Sequence, residues 1–163
     1  MKKVLVVMGS DSDLKIMEKC VDRLKSFDIP TEVRICSAHR TPAVAEQRAK
    51  NAAAEGFGVI IAAAGKAAHL GGVLAAYTTL PVIGVPMATS VMGGMDSLLS
   101  IVQMPKGIPV ATVAIDGADN AAILAAQMIA LSDDALAQKL AQFKADMAAE
   151  VTAKDEKVRA QFA

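Results

Sequence analysis

Val4 to Met8 (VLVVM) and Val59 to Ala64 (VIIAAA) are apolar at every position. A strand with one wet face alternates apolar and polar side chains. A strand without alternation has to be covered on both faces, as in a parallel sheet enclosed by helices. Five segments read as strands: KVLVVM, TEVRIC, FGVIIAAAG, LPVIGVPM with Pro81 at its start, and Val110 to Ile115. Helical stretches lie between them. LKIMEKCVDRLKSF places Ile16, Cys20, Leu24 and Phe27 on one stripe. AVAEQRAKNAAAEG follows Thr41-Pro42, a good N-cap and the residue favoured at the first helical position, and stops at Gly56. VLAAYTT is a short helix, a glycine-rich loop leads into LLSIVQM, AAILAAQMIALS is an amphipathic helix, and a long, increasingly polar helix with a ragged end begins at Asp133. This alternation, with right-handed crossovers, predicts a flavodoxin-like, three-layer, doubly wound α/β fold of about five parallel strands with extra C-terminal helices. Residues 1–163 read as a single domain, with 1–131 as the α/β core and 132–163 as a C-terminal helical extension. The last two helices carry more apolar surface than one small domain needs. That points to a subunit interface, with plain core packing as the alternative.

Charge and composition remove several function classes. Seventeen basic and 17 acidic residues cancel, so there is no field to gather nucleic acid or an anionic membrane. Aromatic residues are 3% and Trp is absent, which argues against stacking platforms for single strands. Cys20 and Cys36 stand apart, with no CxxC or Cys/His cluster, and read as buried thiols in a reducing compartment. The apolar run Val4–Met8 behind Lys2-Lys3 is too short for a signal-peptide core or a membrane span, so the expected location is cytoplasmic. Two histidines without clustered acids or thiols do not make a zinc set, and no metal is expected.

Open α/β sheets bind ligands at the carboxyl ends of their strands, near the topological switch point. The loops after the first three strands, GSDSD, SAHRTP and AGKAAHLGG, should converge there, and they hold both histidines of the chain. GSDSD offers a close backbone approach at Gly9, hydroxyls at Ser10 and Ser12, and the N-terminus of a helix, which suits a phosphate. Neither GxxxxGK[ST] nor GxGxxG is present. Asp11 and Asp13 suit a sugar diol better than a phosphate, and a plain N-cap explains the loop as well. Arg40 can clamp phosphate or carboxylate, or stand solvated. His39 can give and take protons near neutrality, and no GxSxG elbow offers it a serine. His69 is either part of the site or a satisfied loop histidine. AGKAAHLGG can embrace a planar ring or steady a carboxylate through backbone donors, or be a tight glycine turn. ATSVMGGMDS, residues 88–97, reads as a lid or an interface loop. From the residues alone the chain is an α/β enzyme or binder for an anionic sugar phosphate.

VMGSDSD, SAHRTP, AGKAAHLGG, SLLSIVQMPKGIPVATVAI and NAAILAAQMIAL, in this order from about Val4 to Leu131, resemble the PurE family of purine biosynthesis. They are most similar to its bacterial class I enzymes, which move a carboxyl group from the exocyclic nitrogen to ring carbon C4 of an aminoimidazole ribonucleotide. The resemblance implies a flavodoxin-like homo-octamer, a small ribonucleotide as substrate and no cofactor. It implies His39 as the catalytic proton carrier and Ser10, Asp13 and Arg40 as substrate-binding residues. Ser12 and Ser37 would line the ribotide pocket, and Gly65, Ala67, Ala68, His69 and Leu70 would surround the base and the migrating carboxyl. Lys66 stands where the family commonly has Gly, and Gly71 where it commonly has Pro. The family's second class carboxylates aminoimidazole ribonucleotide directly with CO2. Its elbow usually carries Lys where this chain has Arg40, and its third loop lacks AAHL, so both features favour class I. A reading of another kind is a non-catalytic sugar-phosphate binder on the same fold. A receiver domain would need an Asp at the end of the third strand, where this chain has Ala63-Ala64-Gly65.

Overall fold

The computed structural model describes residues 1–163. Five strands, β1 (Lys3–Met8), β2 (Thr31–Ile35), β3 (Phe57–Gly65), β4 (Val82–Met87) and β5 (Ala111–Thr112), alternate with helices α1 (Leu14–Ser26), α2 (Pro42–Asn51), α3 (Leu70–Tyr77) and α4 (Met95–Val102). Two further helices, α5 (Ala118–Ala130) and α6 (Asp134–Gln161), close the chain. The sheet is wholly parallel, in the order β2-β1-β3-β4-β5. The chain runs from β1 out to β2, then crosses back to β3. The winding therefore reverses between β1 and β3, and a crevice opens where their carboxyl ends diverge.

The apolar runs that lack alternation are buried on both faces, as expected. Val4, Val6 and Met8 point into one core with Met17, Cys20 and Leu24 of α1 and Ala121, Ala122 and Ala125 of α5. Leu5 and Val7 point into the other, with Ala45 and Ala49 of α2, Leu70 and Leu74 of α3 and Ile101 of α4. Each fully buried Leu, Ile or Met contributes about 1.5–3 kcal/mol by leaving water, and these side chains dominate the stability of the sheet. No helix is long and apolar enough to cross a membrane.

Several boundaries differ from the sequence expectation. β5 pairs only through Ala111 and Thr112, although Val113 N–H and Asp116 N–H still donate to Gly84 O (3.2 Å) and Pro86 O (2.9 Å). α3 begins at Leu70, so Gly71 and Gly72 are helical rather than loop. At Gly72 the lack of a side chain eases the packing, since a Cβ there would sit 3.1 Å from the Met104 sulfur, whereas a Cβ on Gly71 would meet Val110 Cγ1 at an ordinary 3.6 Å. α4 begins at Met95, inside the stretch expected as loop, where the buried Ser97 hydroxyl donates to Met87 O and Gly94 O at 2.8 Å. On α1 the buried stripe is Met17, Cys20, Leu24 and Phe27, with Ile16 at its edge. α5 spends its apolar face inside the chain, on Ala118, Ala121, Ala122, Ala125, Ala126 and Ile129. α6 is helical to Gln161, past the expected ragged end, and buries only Leu136. Its first turns are held by the Asp133 cap on Leu136 N–H (3.0 Å), by Lys139–Asp28 (2.6 Å), and by Phe143 edge-on to Phe27 at 5.5 Å.

Candidate active site

The loops at the carboxyl ends of the strands enclose one cleft of about 690 Å³. Every residue expected at the site lines it: Ser10, Ser12, Asp13, Ser37, His39, Arg40, Gly65, Ala67, Ala68, His69 and Leu70. The β1 loop is tied across the crevice by Gly9 N–H donating to Ala63 O at 3.0 Å. Ser10 caps the short 3-10 turn Asp11–Asp13 by accepting from Ser12 N–H (3.3 Å). The two hydroxyls donate to the next carboxylate along the chain, Ser10 to Asp11 (3.2 Å) and Ser12 to Asp13 (3.3 Å). Partial burial pushes the Asp13 carboxyl above the usual carboxylate range. The Ser12 hydroxyl opposes that shift, and the like charges of Asp116 and Asp11 add to it.

The elbow opens where Cys36 N–H makes the last bond to β1, at Met8 O (2.8 Å). Thr41 stands at the N-cap position, but its hydroxyl does not cap the helix. It turns back to Ser37, accepting from Ser37 N–H and donating to Ser37 O, both at 3.0 Å. That folds the five residues Ser37–Thr41 into a closed turn and fixes the two side chains it carries. Arg40 is braced by its own N–H to Ser37 Oγ (3.1 Å) and by one Nη to Gly9 O (3.2 Å). No carboxylate pairs with it, so its remaining N–H groups are available to an anion.

His39 and His69 come from loops 30 residues apart and meet at the cleft. Nε2 of His39 lies 2.9 Å from Nδ1 of His69, with the rings edge to face at 84°. One nitrogen donates and the other accepts, so each ring sets the tautomer of the other. The third loop wraps past them. Gly65 packs tightly, since a Cβ there would lie 3.2 Å from the Thr89 methyl. Lys66 follows in a left-handed conformation, φ +59°, which explains why a glycine suits that position. No three His, Cys, Asp or Glu side chains come together anywhere in a metal-binding group.

The cleft has walls that the sequence reading does not include. Met87, Ala88 and Thr89 after β4, and Asp116 after β5, also line it. DGADN reads as an ordinary loop in the sequence. The available signal was Asp116-Gly117 directly behind an expected strand, because every parallel strand delivers its loop to the same edge of the sheet. The stretch 88–97 includes an exposed turn, residues 90–93. It contributes a wall and then the first turn of α4.

Comparison with known proteins agrees with this layout. Residues 3–150 match the family described as AIR carboxylase. The chain is 53% identical, over 98% of its length and 99% of the relative's, to a protein of Methanocaldococcus jannaschii named N5-carboxyaminoimidazole ribonucleotide mutase. It is 51% identical to a protein of the same name from Thermotoga maritima, over 97% of this chain and 92% of that one. The crystal structure of Treponema denticola PurE superposes with a TM-score of 0.86 at 30% identity, over 94% of this chain and 96% of that one. The match to the family extends from β1 into α6 and takes in every loop of the cleft, and on that basis the chain belongs to the AIR carboxylase family.

Proposed function

We infer that the chain is an N5-carboxyaminoimidazole ribonucleotide mutase, with His39 as the group that moves the proton. The observation that carries the histidine assignment is the 2.9 Å contact between His39 and His69 in a cleft whose arginine has no carboxylate partner. The ribonucleotide's phosphate is assigned to the backbone N–H groups behind Ser10 and Ser12 and to Arg40, with Ser37 orienting the guanidinium. Asp13 accepts from sugar hydroxyls. Gly65, Ala67, Ala68 and Leu70 form the small-residue wall against the base, and His69 holds His39 in one tautomer.

In this reading the N–C bond of the carbamate breaks, its electron pair returns to the exocyclic nitrogen, and the nitrogen takes a proton from His39. The CO2 released stays between the third loop and the ring. C4 then attacks it, and His39 takes back the proton that C4 loses, so the proton count closes over the cycle. Holding CO2 beside C4 replaces a bimolecular encounter, an effect worth up to about 7–11 kcal/mol of barrier in well-aligned intramolecular reactions. The whole chain, 1–163, is taken as one functional unit and as a cytoplasmic homo-octamer. The exposed apolar side chains of Leu99, Val102 and Val151 support self-association. A monomeric mass in solution would rule it out.

The test is a paired assay of the purified protein. One reaction receives N5-carboxyaminoimidazole ribonucleotide, the other aminoimidazole ribonucleotide with bicarbonate, and the C4-carboxylated product is followed. Turnover confined to the first reaction is expected, and His39→Asn should reduce it by about 10²–10⁴-fold, the usual worth of a positioned proton carrier. Equal or faster turnover in the second means direct carboxylation. Full turnover by the His39→Asn protein would remove His39 from the mechanism.

A further inference from the structure

We propose that Asp116 is a positioning residue for this reaction: its carboxylate stands in for a missing backbone carbonyl at the end of β4 and thereby sets the Thr89 wall of the cleft against Gly65. The ladder between β4 and the segment after β5 runs as far as Asp116 N–H on Pro86 O, 2.9 Å. There the chain turns away. Asp116 takes φ +56°, Gly117 N–H bonds back to Ala114 O (2.9 Å), and α5 begins at Ala118. No backbone carbonyl is left to receive the next amide of β4's continuation, Ala88. The Asp116 carboxylate receives it instead, Oδ1 to Ala88 N at 2.9 Å. Asp is one of the few residues that both tolerates this left-handed backbone and carries an acceptor short enough for the task.

The consequence for the site lies one residue further on. Thr89 presents its methyl to Gly65, at the start of the loop assigned to the base, while its hydroxyl is buried without a partner. A buried, unpaired hydroxyl is unfavourable, so Thr89 stays there only because something else fixes its backbone. The clip on Ala88 supplies that constraint from one side, and Gly93 N–H on Thr89 O (2.9 Å) from the other. Asp116 also lines the cleft itself and acts electrostatically on Asp13. The charged and titratable groups that share this cleft with Asp13 are Asp116, Arg40, Lys66 and the two histidines, and Asp11 acts on it from outside the cleft lining. Of these, Asp116 is the acid brought to it by the fold rather than by sequence neighbourhood.

This inference rests on the mutase reading for its kinetic arm only. Two variants separate the roles. Asp116→Gly accepts the backbone angle but removes the acceptor, and Asp116→Asn keeps an acceptor oxygen and removes the charge. The expected results for Asp116→Gly are a KM for N5-carboxyaminoimidazole ribonucleotide raised by about tenfold and amide hydrogen exchange at Ala88 accelerated by about tenfold or more, the loss of roughly one hydrogen bond in each case. Asp116→Asn should recover most of both losses. In that variant the Asp13 carboxyl, followed by carbon-13 NMR, should titrate at lower pH than in the wild type, because a like charge has gone. Wild-type KM and unaltered Ala88 exchange in Asp116→Gly would overturn the proposal. So would Asp116→Asn proving as damaging to KM as Asp116→Gly, which would mean the charge acts on the substrate directly. Should the wild-type chain show no mutase turnover, the function falls, while exchange at Ala88 still decides whether the clip exists.

Discussion

Lys66→Gly should make the protein more stable and a poorer enzyme, and both effects can be sized. Lys66 holds φ +59°. That conformation costs a side-chain-bearing residue about 1–2 kcal/mol, which glycine does not incur. Glycine gives back about 0.4–1 kcal/mol through the greater freedom of the unfolded chain. The net gain is about 0.5–1 kcal/mol, and for a chain of this length each kcal/mol moves Tm by about 2–4 °C. Tm should therefore rise by about 1–4 °C in thermal denaturation at matched protein concentration, since association makes Tm concentration-dependent. The cost falls on binding. Lys66 is an exposed cation in the cleft and pairs with no carboxylate. At about 4 Å in water-like surroundings, one such charge is worth about 1 kcal/mol to an anionic substrate. KM should rise about fivefold at low salt, and the difference should shrink as ionic strength rises. An unchanged or lower Tm would refute the strain argument. An unchanged KM at low salt would mean that Lys66 does not act on the substrate.

Gly84→Ala should destabilise the fold by about 1–3 kcal/mol through overpacking, because the new Cβ would lie 2.3 Å from Ile101 Cγ2; adding Ile101→Ala should cost less than the sum of the two single changes in denaturant melts. Asp13 titrates above its ordinary 3.8, so the folded state favours its protonated form, and that contribution is lost as pH rises through the raised value. Asp13→Asn should accordingly melt above the wild type at pH 7, with the gap closing as pH falls through the raised value and gone below 3.8, while substrate binding weakens. The Cys20 thiol is buried and pushed up to about 12, and Cys36 is also buried, so a disulfide-exchange reagent at neutral pH should titrate neither thiol in the native protein and both after unfolding.

Much of the site was legible because a parallel sheet sends all of its loops to one edge. Once VLVVM and VIIAAA are read as strands covered on both faces, GSDSD, SAHRTP and AGKAAHLGG must meet, and the eleven residues expected at the site all line the cleft, although Asp11 does not. The errors have equally specific causes. Gly71 and Gly72 look like breakers, yet both lie in α3, where Gly72 faces the end of Met104 at a distance tight for a Cβ while Gly71 has ordinary space. Thr41 does stand at the N-cap position with Pro42 opening the helix, but its hydroxyl bonds Ser37 rather than the helix N–H groups. Nothing local marks Thr89, and Asp116-Gly117 behind a strand reads equally well as an ordinary turn. Their importance comes from which neighbouring loop they touch.

The sequence by itself determined the layer order of the molecule, since burial on both faces leaves a continuous apolar run no other arrangement. It also determined which short polar stretches would be left at the strand ends. Only the tertiary structure decided the pairing of His39 with His69, the anchoring of Arg40 on Gly9, and the carboxylate of Asp116 that finishes the ladder beside Ala88. These are contacts between residues 28 to 31 positions apart. They depend on where two loops stop relative to each other. Hydrophobic periodicity sets which face of an element is buried. It carries no information about the last few ångströms between loop ends.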